Sequence, residues 1–231
     1  MQSSEKGSVL LVGLVSVVLG LVVGLAVSAA SKPLLQDIEQ VVAEEVVVVP
    51  RADTKAADFR VATALLFQQH VHLISQSMRE TFEVKKDQES AVGGLLDENV
   101  SAVVQMIQEY YGEVRGKAFE TAWVQHVGYL QDYAVAKRDK SKDDVTETAA
   151  QLEDFADGMA EQLSIMNPHM SRDVVRVLMF EYVRSAELAM DLYAKGEMVQ
   201  SYQEELKTQM RLGKVVDLLV NAIVKQNPEK F

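Results

Sequence analysis

Four histidines, His70, His72, His126 and His169, are the imidazoles of this 231-residue chain, and no cysteine accompanies them. Thiolate metal sites, disulfides and cysteine nucleophiles are therefore excluded. His70 and His72 stand two residues apart, so on a helix they point in different directions and do not chelate as a pair. The chain has no His-Glu-x-x-His and none of the Glu-x-x-His carboxylate pattern of di-iron bundles. His70 and His126 are the candidate metal ligands, with Asp157 or Asp217 as oxygen partners, and imidazole plus carboxylate suits zinc or copper. The competing reading is a pair of hydrogen-bonded core histidines that need no cofactor. The loop Met166-Asn167-Pro168-His169-Met170 also offers two thioethers and an imidazole, a soft donor set for copper. Methionine is equally a common core filler, and the chain has 10 of them.

Other chemistries find less to work with. There is no Gly-x-Ser-x-Gly elbow and no glycine-rich phosphate loop, and Gly93-Gly94 is an isolated pair. The acidic residues read as solvated helix faces, Glu204-Glu205 with Lys207 being an example. No catalytic residue is assigned, and the expectation is a protein without enzymatic activity. The net charge of −11 argues against nucleic acid as a partner.

The elements that must position these residues are helical. Composition is globular, 48% apolar and 25% charged. From about residue 57 a helical pattern runs to the C-terminus, and six segments are predicted: about 57–83, 97–111, 114–139, 143–166, 171–195 and 197–226. Breaks are expected at Gly93-Gly94, Gly112, the charged patch 137–142, Asn167-Pro168 and Lys195-Gly196, with Asp97, Asp143 and Ser171 as N-caps. Phe119, Trp123, His126, Leu130 and Tyr133 share one face of the third segment. Val175, Met179, Tyr182, Ala186, Ala189 and Tyr193 share one of the fifth. In the sixth, Met198, Tyr202, Leu206 and Met210, then Val216, Val220 and Ile223, are expected to be buried.

The phrase LLFQQHV returns as AWVQHV and LMFEYV, which places His70, His126 and Tyr182 56 and 56 residues apart. Each phrase leads to a second helix, ending near Tyr110-Tyr111-Gly112, Met166-Asn167-Pro168 and Gln226-Asn227-Pro228. The predicted fold is all-α: a bundle of about six helices in three hairpin repeats. Asn99, Asp157 and Asp217 sit at roughly matching places on the second helices, where a pair across each hairpin would satisfy two half-buried polar groups.

Ahead of this domain, residues 8–30 contain no charge and are as long as the roughly 20 residues a bilayer-spanning helix needs. Lys6 and the amino terminus favour a cytoplasmic end at residues 1–7, leaving the 57–231 domain outside the cytoplasm. The alternative is a signal peptide cleaved before Ser31, giving a secreted protein. Ser16, Gly20, Gly24 and Ser28 form a small-residue stripe that suits a homodimer in the bilayer. Residues 31–56 read as a stalk or linker in which Val46–Val49 are a strand or extended segment.

The run from His70 through Tyr111-Gly112 and His126 to Asn167-Pro168, then Asp217 and the terminal Lys230-Phe231, resembles an uncharacterised bacterial family of small, often membrane-anchored, all-helical proteins. The resemblance covers about 60–231. Phe67 stands where that pattern has tryptophan, and Tyr182 where a third histidine is expected. It implies a fold and a surface location, and no activity. The expected function is a membrane-anchored, extracytoplasmic binding module with an unknown protein partner. The alternative is a zinc- or copper-binding protein using His126 and His70.

Overall fold

The computed structural model describes residues 54–231 apart from 85, and the side chains of these except 86–90. The expected anchor at 8–30, its small-residue stripe, and all but the last residues of the 31–56 stalk lie outside the described residues. Among the described residues there are six helices and no strand. They are α1 (Lys55–Glu83), α2 (Lys86–Tyr111), α3 (Glu113–Asp139), α4 (Lys142–Met166), α5 (Arg172–Ala194) and α6 (Met198–Gln226), with a short 3-10 turn at Pro228–Lys230. None of these helices is long and apolar enough to cross a membrane.

Local chemistry explains most of the boundaries. Thr54 caps α1 by accepting from the Ala57 N–H at 3.1 Å, so the helix starts slightly before the expected residue 57. Ser141, not Asp143, caps α4, accepting from the Asp144 N–H at 3.3 Å. Ser171 holds the N-cap position of α5 without a side-chain bond. Asn167 closes α4 and Pro168 prevents its continuation. Gly112 (φ +83) and Gly196 (φ +80) turn the chain through the left-handed region, where a side chain is strained.

The expected break at Gly93-Gly94 does not exist, and Asp97 lies inside α2 rather than at its cap. Each glycine costs a helix about 1 kcal/mol. Burial of Leu96, Val100, Val103, Val104 and Ile107 on the same helix supplies more than that, at roughly 1.5–3 kcal/mol per large apolar side chain.

The packing follows a simple order. α1, α3 and α5 touch one another. Each even-numbered helix lies against two odd ones: α2 on α1 and α3, α4 on α3 and α5, α6 on α5 and α1. α1 and α6 run antiparallel, since Arg60 meets Asp217 and Asn221 while His72 meets Glu205. The core is continuous and draws on all six helices, with Ile74, Ile107, Leu130, Leu152, Met179 and Ile223 among its closed-off members.

Candidate functional site: a buried histidine pair between the odd helices

His70 on α1, His126 on α3 and Tyr182 on α5 are each fully buried. Their helices present them toward one another because each lies on the apolar stripe of its helix, flanked by Phe67 and Ile74, Trp123 and Leu130, and Met179 and Ala186. His70 Nε2 lies 3.3 Å from His126 Nε2, and His126 Nε2 lies 3.3 Å from the Tyr182 hydroxyl. The three side chains thus meet at His126. Aromatic rings enclose them. His126 stacks on Phe155 at 4.5 Å, and the Trp123 ring lies 4.7 Å from His70 and 4.4 Å from His126. Among the described residues the buried Trp123 Nε1–H finds no hydrogen-bond acceptor.

The protons on the two imidazoles follow from their outer partners. His126 Nδ1 lies 2.5 Å from the Trp123 carbonyl, which can only accept, so Nδ1 carries the hydrogen. His70 Nδ1 lies 2.9 Å from Asn99 Oδ1. The Asn99 amide nitrogen donates to the Leu66 carbonyl at 2.9 Å, and reversing the amide would set oxygen against oxygen there. Asn99 therefore also accepts, and His70 Nδ1 carries the hydrogen. Both Nε2 atoms are then bare lone pairs facing each other. The Tyr182 hydroxyl has one hydrogen, which it gives to His126 Nε2, and none is left for His70 Nε2.

Burial sets the charges. It pushes His70 down to about 4, against the raising effect of the Asn99 bond. It pushes His126 well below the usual imidazole range, helped by repulsion from His70 and opposed by the Trp123 carbonyl. Burial also pushes the Tyr182 phenol up. Both rings are neutral and the phenol is protonated at pH 7.

The other candidate residues lie elsewhere. Asp157 is taken by Arg172 and Arg176, at 3.1 and 2.7 Å, and Asp217 by Arg60 at 2.6 Å. Both sit in surface ion pairs, and neither approaches the histidines as an oxygen ligand. Among the described residues no three His, Asp or Glu side chains converge to hold a metal. Of the expected cross-hairpin pairs, His70–Asn99 forms. His126 pairs instead with His70 and Tyr182. His72 is exposed and meets Glu205 at 3.1 Å. His169 is exposed, while Met166 and Met170 on either side of it are buried in the core, so that loop does not gather its soft donors. Asn167 instead joins the helix ends, donating to the Tyr111 hydroxyl at 3.0 Å and to Gln226 Oε1 at 2.8 Å.

A second region was not legible as special. In the first half of α6 the polarity is inverted. Ser201, Glu204, Glu205 and Thr208 are buried, while Val199, Tyr202, Leu206 and Met210 face solvent, the last two 60% and 70% exposed. This corrects the expected burial of Met198, Tyr202, Leu206 and Met210, and the expected solvation of Glu204-Glu205. Partners on other helices explain the reversal. Glu205 pairs with the buried Arg79 at 2.7 Å, and Ser201 donates to the Ala189 carbonyl at 2.8 Å. Glu204 takes Ser185 and Lys207 at 2.8 Å and Arg211 at 2.5 Å. Desolvation would raise the Glu204 carboxyl, but these three donors together hold it down at about 2. From Leu212 onward the apolar face turns inward again, and Val216, Val220 and Ile223 are buried as expected.

No family model, no curated protein and no solved structure matches the chain.

Proposed function

We propose that the chain is a membrane-anchored, extracytoplasmic helical binding module without enzymatic activity, its domain made of three helical hairpins set around His70, His126 and Tyr182. One observation carries the binding role: the outward apolar stripe Val199, Tyr202, Leu206 and Met210 on α6. Scattered exposed apolar residues are ordinary, but a contiguous row with charges beneath it is not. Burying Glu204, Glu205 and Arg79 costs desolvation that apolar residues in their place would avoid. A helix that keeps carboxylates inside and leucine and methionine outside has an outer face suited to a partner. The spacing of the stripe fits the apolar side of another helix. The charge-free run at 8–30 supports the membrane anchor, and the 56-residue steps between the bonded residues support the hairpin reading.

The test is photo-crosslinking of the full-length chain in its native membrane. A photoreactive residue replaces Leu206 in one preparation and exposed Glu161 on α4 in another. A discrete protein adduct at 206 and none at 161 is the expected result. Equal labelling at the two positions, or none at 206, would remove the stripe as a binding surface.

A further inference from the structure

We propose that His70, His126 and Tyr182 together hold one first-row transition-metal ion of the zinc–copper class, a site independent of the α6 surface. The ground is a shortage of hydrogens. Two carbonyl-type acceptors, the Trp123 backbone oxygen and Asn99 Oδ1, fix the hydrogen of each ring on Nδ1. Two Nε2 lone pairs are left pointing across 3.3 Å, with one phenolic hydrogen between three acceptor atoms. Buried acceptors facing each other without a donor are costly. Either a cation lies between them or the pair is destabilising where it stands.

Several details favour a metal over a stray proton. An imidazole that ligates through Nε2 ordinarily donates its Nδ1–H to a carbonyl or carboxylate, which orients the ring and sharpens its basicity, and both rings here are held in that way. Two ligand nitrogens 3.3 Å apart subtend close to the tetrahedral angle at an ion about 2.0–2.1 Å from each, the zinc–imidazole distance. The Tyr182 oxygen stands at the same 3.3 Å from His126 Nε2 and supplies the third donor. Neutral nitrogen and phenolic oxygen donors suit zinc and copper, and exclude calcium and magnesium, which take oxygen ligands. The oxygen donor is thus Tyr182, where Asp157 and Asp217 were expected.

Coordination has a balanced proton count. As the ion binds, the Tyr182 O–H bond breaks, the oxygen keeps the electron pair as phenolate ligand, and one proton leaves to solvent. The imidazoles are already neutral and release none. The net charge of the loaded centre is one positive unit, two from the ion less one from the phenolate.

The experiment uses the full chain in detergent micelles. It is unfolded with a chelator present, then refolded with Zn(II), with Cu(II), or with neither, so that burial of the site does not block entry. Bound metal is measured by mass spectrometry, proton release by an indicator dye, and the local change by emission from Trp123, the chain's single tryptophan. One ion per chain, one proton released and a change in Trp123 emission are expected; the metal that wins in direct competition identifies the native ion. Tyr182→Phe, which keeps the ring, is expected to bind at least tenfold more weakly and to release no proton. Tyr182→His is expected to bind at least tenfold more tightly, an outcome that a purely structural tyrosine would not produce. A refolded, fully helical wild-type chain that takes up neither ion overturns the site whatever the variants do. Unchanged affinity in both Tyr182 variants overturns it as well, by placing the metal elsewhere.

Discussion

At Glu187 a carboxyl group is nearly closed off from water, and one of its oxygens has no hydrogen-bond partner among the described residues. Burial pushes it up to about 7, against the pull of Arg184 at 3.2 Å and with a smaller push from Glu153 and Asp191. A carboxyl raised in the folded state contributes its full stability below the unfolded value of 4.5 and loses it as pH climbs through 7. Glu187→Gln removes the titration while keeping the shape. It is expected to stabilise the fold at pH 8 by up to about 3 kcal/mol and to change little at pH 4.5. Urea melts at the two pH values measure this; an equal effect at both would mean that the carboxyl is not raised. The residue scale was partly open to the sequence. The convergence of His70 and His126 was expected; the arrival of Tyr182 beside them was not, although equivalent positions on neighbouring helices share a face. The choice of Asp157 and Asp217 failed because a carboxylate goes to the nearest cation. Arg172, Arg176 and Arg60 are within reach only once the chain has folded.

Helix ends show where backbone geometry and side-chain type disagree. Val84 terminates α1 with φ 58, in the left-handed region, and sends its N–H back toward the Glu80 and Thr81 carbonyls. A β-branched side chain is poorly suited to that conformation. Val84→Gly is expected to stabilise the domain by about 1 kcal/mol, the left-handed penalty less some unfolded-state entropy. Gly112→Ala, where glycine already occupies φ +83, is expected to cost about the same. Thermal denaturation of the pair decides the matter: a shift of the same sign in both would show that the turns are not built as described. Turn chemistry of this kind made four of the five expected breaks readable. Gly93-Gly94 misled because helix propensity is local and weak, whereas the burial that overrides it comes from α1 and α3. The first half of α6 misled for a related reason. Its polar and apolar rows are both periodic, and only Arg79, Ser185 and the Ala189 carbonyl, on other helices, decide which row turns inward.

For the domain as a whole, the C-terminal tail is a fastening. The Phe231 ring lies 5.2 Å from Phe59 on α1 and 5.9 Å from Tyr110 on α2. Lys230 sits 4.7 Å above the Tyr110 ring and reaches the Glu109 carbonyl at 3.4 Å. Four residues at the end of the chain thus tie α6 to the first two helices. Removing 228–231 is expected to cost roughly 2 kcal/mol, from lost apolar burial and aromatic contact. Hydrogen exchange should then quicken at the start of α1 and the end of α2, leaving α4 as it was. Uniform quickening in all six helices would mean that the tail acts on global stability and not on this seam.

The seam between α6 and α1 also bears on the order of the chain itself. Arg60 with Asp217 and Asn221, together with Phe59 and Phe231, brings the start and finish of the domain side by side. Where the domain begins is then a matter of covalent bookkeeping rather than of packing. A circular permutant of residues 54–231, with a short linker joining Phe231 to Thr54 and new ends opened at the exposed Lys140 turn, would give every helix the same neighbours it has now.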